Sequence, residues 1–270
     1  MSAQALQAAV AAELAAFPAQ AAVLAVNLAS GTPFVSIRAQ EQVVSASTIK
    51  VPILCCALTL AGQGRLCLDQ AVPIAPEDFR DDTQVFETGG RPRTCTLWEL
   101  LYWMTVESDN TATNAVISLL GYDAVNDYCA ALGLSATRLR RKMLDFDAAA
   151  AGRENTTSPA DQYALYAALL SGALLPADLQ SVALDLLGRS RCFDGLQRYI
   201  PDPVPLLHKS GGLDHLNHDA GVFQMKKRPY FLGVFTWDGP ALDGESPQKQ
   251  LIGRISRLVY DYVKAQEAAL

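Results

Sequence analysis

Apolar residues recur at helical spacing through residues 3–16, at Leu6, Val10, Leu14 and Phe17, and Pro18 ends that run. Residues 21–28 form a short apolar segment, Gly31 and Pro33 mark a turn, and residues 34–37 read as a second strand, which predicts a hairpin. Residues 48–60 are apolar with scarcely a polar face, the pattern of a helix buried on every side. Helical patterns follow at 96–106, 111–120, 122–132 (stopped by Gly133), 159–170 and 176–187. The texture then changes. Residues 219–225 and 230–237 are strand-like, separated by Lys226-Lys227-Arg228-Pro229, and residues 246–266 form a last helix with Ser246 as N-cap and Pro247 at its first position. This order predicts an α/β chain of the α+β type: one antiparallel sheet flanked by the terminal helices, plus an all-helical lobe. The expected organisation is a single domain, 1–270, with a sheet lobe from 1–45 and 200–270 and a helical lobe from 46–199; no internal repeat interrupts it.

Composition narrows the function classes. The 270 residues are 50 % hydrophobic and 19 % charged, and 22 basic against 28 acidic residues leave a formal charge of −6. An acidic chain without a dense basic run is a poor partner for nucleic acid or an anionic membrane. Apolar runs are cut well short of the ~18 residues a membrane span needs. The N-terminus has no basic stretch and carries Glu13 in its apolar segment, so it reads as an amphipathic helix rather than an export signal. As it stands the chain reads as cytoplasmic, and as periplasmic or secreted if a leader has been trimmed. None of the six cysteines forms a C-x-x-C pair, which argues against a zinc knuckle, a thioredoxin-type site and a disulfide scaffold; Cys55 and Cys56 read as small buried hydrophobes. His215 and His218, with Asp214 and Asp219, lack four-ligand zinc spacing and read as a polar loop shaping a cleft rim. No metal and no cofactor is expected. Trp98, Trp103 and Trp237 read as core anchors, Arg138, Arg140, Arg141 and Lys142 as a solvated face anchoring a loop, and Phe79 to Gly90 as a loop at the cleft mouth.

Three clusters carry candidate chemistry. Ser47-Thr48-Ile49-Lys50 opens the buried helix, and residues at i and i+3 share a helical face. A serine needs a base to become a nucleophile, and an amine can serve once desolvation lowers its pKa. The helix N-terminus also favours a developing oxyanion. Ser246-Pro247-Gln248-Lys249 repeats the spacing, but there the serine is better explained as a helix cap. Ser108-Asp109-Asn110 lies between two helical patterns and can point a hydroxyl and an amide into a cleft. Lys209-Ser210-Gly211-Gly212, just before the C-terminal strands, can bind a carboxylate and admit a substrate backbone closely.

Together, in this order, the clusters resemble the penicillin-recognising serine hydrolases: class A β-lactamases, D-alanyl-D-alanine peptidases and the related glutaminases. The resemblance spans nearly the whole chain and extends to Thr96–Leu101, Thr111–Asn114, Thr137-Arg138-Leu139 and Thr156–Pro159. It implies a β-lactamase/transpeptidase-like fold and the following roles. Ser47 is the acylated nucleophile and Lys50 its base, Ser108 relays a proton, Asn110 binds the substrate amide, and Lys209 and Ser210 hold a carboxylate beside Gly211. The N–H groups of Ser47 and Gly212 form the oxyanion hole. The partner is a small-molecule or peptide acyl substrate, and oligomeric state is not readable.

Three departures stand out. Where class A enzymes place the glutamate that activates the deacylating water, this chain has Met143, with Asp145 as a candidate substitute base. Asn155 replaces an aspartate expected to pair with Arg141, so that ion pair is expected to be lost. The arginine expected on the strand after Lys209 is also absent from residues 215–219. These departures lead to a serine hydrolase acting through an acyl-enzyme on an amide or ester, with weak or absent β-lactam turnover. A genuine class A-type β-lactamase with a rebuilt deacylation base, and a non-catalytic penicillin-binding or sensor protein, stay open beside it.

Overall fold

The computed structural model describes residues 1–80, 85–86, 94–241 and 246–268. In chain order the elements are α1 (Ala3–Ala15), β1 (Gln20–Asn27), β2 (Pro33–Ile37), β3 (Val43–Val44), α2 (Lys50–Gly62), β4 (Ala71–Pro73), β5 (Thr94–Thr96), α3 (Leu97–Val106), α4 (Asn110–Leu120), α5 (Tyr122–Ala131), α6 (Phe146–Ala150), β6 (Thr156–Thr157), α7 (Pro159–Leu170), α8 (Ala177–Gly188), β7 (Leu206–Leu213), β8 (Leu216–Phe223), β9 (Tyr230–Trp237) and α9 (Pro247–Ala268). The chain divides into two compact units. A sheet unit comprises Met1–Thr48, Thr157–Ala167 and Cys192–Leu270; a helical unit comprises Ile49–Thr156 and Ala168–Arg191. The fold is α+β with one antiparallel five-stranded sheet, as the order of elements predicts.

In the sheet unit the strand order is β2-β1-β9-β8-β7. Alternation gives each strand two faces. On one face Tyr230, Leu232 and Val234 of β9 join Leu6 and Val10 of α1 and Ile255, Val259 and Val263 of α9 in one buried cluster. On the other, Tyr163 and Tyr166 of α7 lie against Phe231, with ring centroids 5.6 and 5.8 Å apart. Two expectations are corrected here. The Lys209 motif is not a segment preceding the strands; it lies within β7, the edge strand, paired with β8 from Leu206↔Phe223 to Leu213↔Leu216. Its Lys, Ser and two Gly residues hide a strand from propensity. Likewise β8 begins at Leu216, so Asn217, His218 and Asp219 are buried strand residues rather than a polar rim.

The helical unit is built around α2, whose residues Lys50 to Leu58 are all buried and which touches α3, α4, α5 and α8. Burial pushes the Cys55 and Cys56 thiols up to about 12 and about 11, as suits inert core groups. A capping box between Thr96 and Glu99 starts α3. Trp98 departs from its expected core position: it is 41 % exposed and stacks on Tyr102, because it falls on the outer face of α3. Of the loop expected at Phe79–Gly90, residues 81–84 and 87–90 lie outside the described residues. No helix among the described residues is long and apolar enough to cross a membrane, and they hold no cluster of three or more His, Cys, Asp or Glu suited to a metal.

Candidate active site

The sheet unit supplies one set of groups. Ser47 lies in the 3-10 turn Ala46–Ile49 that leads into α2. Thr48 pins this turn, its N–H and hydroxyl both donating to the Ser45 carbonyl at 3.1 and 2.6 Å. Ala46, just before the serine, sits at φ +43°, a left-handed conformation that costs a non-glycine residue ~1–2 kcal/mol. The edge strand β7 runs directly against this turn. A Cβ on Gly211 would lie 2.7 Å from the Ser47 nitrogen and 3.1 Å from the Thr48 nitrogen, so only glycine fits the approach.

Lys209, one residue before Ser210, is buried and donates to the Ser210 carbonyl at 3.0 Å. Burial pulls its pKa down to about 8, partly opposed by Cys192 and Asp219. His208 does not reach for this lysine; its Nδ1 pairs with the buried Asp219 at 2.8 Å, and Asp219 also accepts from the Leu196 N–H at 2.9 Å. His218 is pinned as a neutral ring. The Thr236 N–H donates to its Nδ1, its Nε2 faces the Val44 carbonyl at 2.8 Å, and burial lowers its pKa to about 4. Below Ser210, Gly211 and Gly212 opens a cavity of about 210 Å³, which Asn217 and Lys249 also line.

The helical unit supplies the other set. Lys50, the first residue of α2, is buried, and its amine donates to the Ser108 carbonyl (2.6 Å), the Ser108 hydroxyl (3.1 Å) and Asn110 Oδ1 (2.7 Å). The Ser-Asp-Asn triplet divides its labour. Asp109 caps α4, accepting from the Ala112 N–H at 2.6 Å, while its two neighbours turn to the lysine. Ser108 reaches this position at φ +59°.

The loop from Thr137 to Thr156 carries Met143, which is buried with its backbone clamped. Its N–H donates to Asn114 Oδ1 at 2.7 Å, and its carbonyl accepts from Asn114 Nδ2 at 3.3 Å and Arg80 Nε at 3.1 Å. Leu144, next in the chain, takes φ +55°. Asp145 spends one carboxylate oxygen on capping α6, accepting from the Ala148 N–H at 3.0 Å. The ion pair between residue 155 and Arg141 is absent, as expected, but Arg141 has another carboxylate partner. Arg141, 4 % exposed, pairs with Glu154 at 2.7 Å, while Asn155 stitches the loop backbone by accepting from the Arg140 and Arg141 N–H groups and donating to the Arg141 carbonyl. Lys142 pairs with the buried Asp78. Arg141 and Lys142 therefore anchor the loop, as expected, with Arg141 buried rather than solvated.

The sequence thus named Ser47, Lys209, Ser210, Gly211 and Gly212 in one unit and Lys50, Ser108 and Asn110 in the other. It missed Asn114, whose only signal was its place four residues after Asn110. Ser246 does cap, accepting weakly from the Lys249 N–H at 3.4 Å and from Asn217 Nδ2 at 3.0 Å.

Residues 3–263 match the model of the "Beta-lactamase enzyme family". A beta-lactamase of Rhodobacter capsulatus is 31 % identical over 214 residues, 76 % of this chain and 71 % of that protein. Among solved structures, the chain is similar to a beta-lactamase from Sphaerobacter thermophilus, with TM-score 0.86, 27 % identity and coverage of 98 % of this chain and 99 % of that one. It is also similar to a leucine-to-glutamate mutant of PBP-A, an acyl-enzyme complex with penicillin G, with TM-score 0.86, 25 % identity and coverage of 97 % and 96 %.

Proposed function

The chain belongs to the beta-lactamase enzyme family and is a serine hydrolase, and from that premise we propose that it forms an acyl-enzyme on Ser47 with amide or ester donors, β-lactams among them, and releases the acyl group slowly when the donor is a β-lactam. The observation that carries this reading is the setting of Lys50. A buried amine, three positions after the serine in sequence, is held by Ser108 and Asn110, the pair that the second motif supplies.

In the proposed sequence the Lys50 amine, in its unprotonated form and keeping only two of the three hydrogen bonds it donates here, accepts the Ser47 hydroxyl proton on its freed lone pair as Oγ attacks the carbonyl carbon. The oxyanion forms against the Ser47 and Gly212 N–H groups, each such donor being worth about 2.7–4 kcal/mol in comparable enzymes. The carbon–nitrogen or carbon–oxygen bond then breaks, and Ser108 passes the proton to the leaving atom. Lys209 and Ser210 hold a carboxylate, and Asn110 the amide. Water must then attack the ester, and here Met143 supports the slow step: a thioether cannot take a proton from water, and Asp145 is engaged as a helix cap. PBP-A, whose mutant carries a penicillin G acyl group, favours the same reading by likeness.

Intact-protein mass spectrometry after exposure to penicillin G tests the proposal. The expected result is a persistent adduct of one penicillin per chain, lost in Ser47→Ala and kept in Ser246→Ala. Met143→Glu should shorten the adduct's lifetime and raise steady-state turnover of a penicillin. An adduct that survives Ser47→Ala overturns the choice of nucleophile; an unchanged lifetime in Met143→Glu overturns the account of the missing base.

A further inference from the structure

We propose that His218, on β8, is a positioning residue for the oxyanion hole: its hydrogen bond to the Val44 carbonyl ties the Ser47 turn to the sheet directly opposite Gly211. This rests on the acyl-enzyme reading and deepens it. The two N–H groups proposed to hold the oxyanion come from separate segments, Ser47 from the turn Ala46–Ile49 and Gly212 from β7. They stabilise the developing charge only if both aim at the place it will occupy. The turn must therefore be fixed against β7, and His218 stands at that junction. It pairs with Gly211 across the β7–β8 ladder. Its Nε2 lies 2.8 Å from the carbonyl of Val44, three residues before Ser47.

The other contacts of the turn play different parts. Thr48 donates twice to the Ser45 carbonyl, so it sets the shape of the turn from within and not its place. The close approach of Gly211 limits how near the turn can come to β7. The His218 bond keeps it from moving off. The ring is set to donate in one direction. Its Nδ1 accepts from the Thr236 N–H at 3.2 Å, so the proton sits on Nε2 and points to Val44. Burial keeps the ring neutral by lowering its pKa to about 4. Phe235, its partner across the β8–β9 ladder, lies against it with ring centroids 4.7 Å apart. Held at both nitrogens and packed on Phe235, the imidazole passes the position of β8 to the backbone that leads into Ser47.

Two amide substitutions divide these contacts. In His218→Gln the side-chain nitrogen reaches as far as the imidazole Nε2 and can still donate to Val44. In His218→Asn the amide reaches only the level of Nδ1, keeping the Thr236 contact and losing Val44. With penicillin G, the limiting rate of acylation is expected to fall about tenfold or more in His218→Asn, the scale of a misplaced oxyanion donor, while the affinity of the initial complex holds. His218→Gln should recover most of the rate. The infrared stretch of the penicilloyl ester carbonyl should rise in frequency in His218→Asn, where the oxyanion hole polarises it less, and hold in His218→Gln. An unchanged rate in His218→Asn, equal losses in both variants, or a slower rate with an unmoved carbonyl band overturns the assignment. Nuclear magnetic resonance of the unacylated protein decides independently. The parent should show His218 protonated at Nε2, and the Ser47 amide signal should shift in His218→Asn but hold in His218→Gln. A ring protonated at Nδ1, or a Ser47 signal unmoved in His218→Asn, overturns the role of His218 whether or not the parent chain acylates. Failure to acylate alongside the expected Ser47 shift sinks the acyl-enzyme reading and leaves the tether standing.

Discussion

At the scale of single residues, the site is assembled from conformations that side chains resist. Ala46, Ser108 and Leu144 all take positive φ, and each adjoins or belongs to a segment that carries the proposed chemistry. No glycine or asparagine marks these positions, so the strain was not legible in the sequence; the chain tolerates it because surrounding hydrogen bonds over-determine the turns. Gly211 was legible, but only as freedom for a substrate. The structure gives a harder reason, since the Ser47 backbone occupies the space of a side chain. Gly211→Ala must push β7 or the Ser47 turn aside, and a misplacement near 1 Å costs on the order of a hundredfold in rate. Acylation of Ser47, followed by mass spectrometry, should slow by that order while the variant keeps its fold by circular dichroism. Lys209 offers a second test. Its folded pKa of about 8 means the charge is present below that pH and lost above it. The second-order rate of acylation by a carboxylate-bearing donor should therefore fall as pH rises through about 8, and the methyl ester should show a shallower fall. Identical profiles would remove Lys209 from carboxylate recognition.

At the scale of elements, helices were easier to read than strands. The heptad-like spacing in α1 and the all-apolar run of α2 announce themselves, and capping residues such as Thr96 fix where they start. β7 did not, because a strand that must carry a lysine, a hydroxyl and two glycines for function cannot also display the β-branched alternation by which strands are recognised. The loop around Met143 taught a similar lesson. Reading Asn155 as a weakened aspartate missed that the charge had moved one residue, to Glu154, leaving the amide to do what a carboxylate cannot. Asn155 both accepts from two N–H groups and donates to the Arg141 carbonyl at 3.0 Å, and it is 2 % exposed. Asn155→Asp is therefore expected to destabilise the chain by about 1–3 kcal/mol, since it strips a buried carbonyl of its donor. Urea unfolding of the two proteins at neutral pH checks this. A variant as stable as the parent, or more so, would mean that Arg141 readily exchanges Glu154 for the new carboxylate.

At the scale of the whole molecule, the sheet unit is drawn from three separated stretches of sequence, and both ends of the described chain contribute to it. That the terminal helices share one sheet was readable from the order of elements, because strands near the two ends need each other's edges and each amphipathic helix needs a face to cover. Their contact with each other was not readable, since it depends on the sheet bringing α1 and α9 side by side, where Glu13 and Arg254 pair at 2.8 Å. This exposed pair contributes little by itself. The weight lies in Leu6 and Val10, both 0 % exposed, in one cluster with Val259 and Val263. Burying two such side chains is worth about 1.5–3 kcal/mol each, a large share of the ~5–15 kcal/mol that holds a typical domain together. Removing residues 1–18 deletes both and uncovers Phe34 and Val35 on the sheet. For a chain of this size each kcal/mol lowers the melting temperature by roughly 2–4 °C, so residues 19–270 should melt about 10 °C or more below the parent and bind a hydrophobic dye before they unfold. The Ser47 turn, pinned by Thr48 and packed against β7, should still acylate at temperatures well below that melt. An unshifted melting curve would show that α1 only rests on the sheet, and loss of acylation at low temperature would show that the Ser47 turn depends on α1 as well.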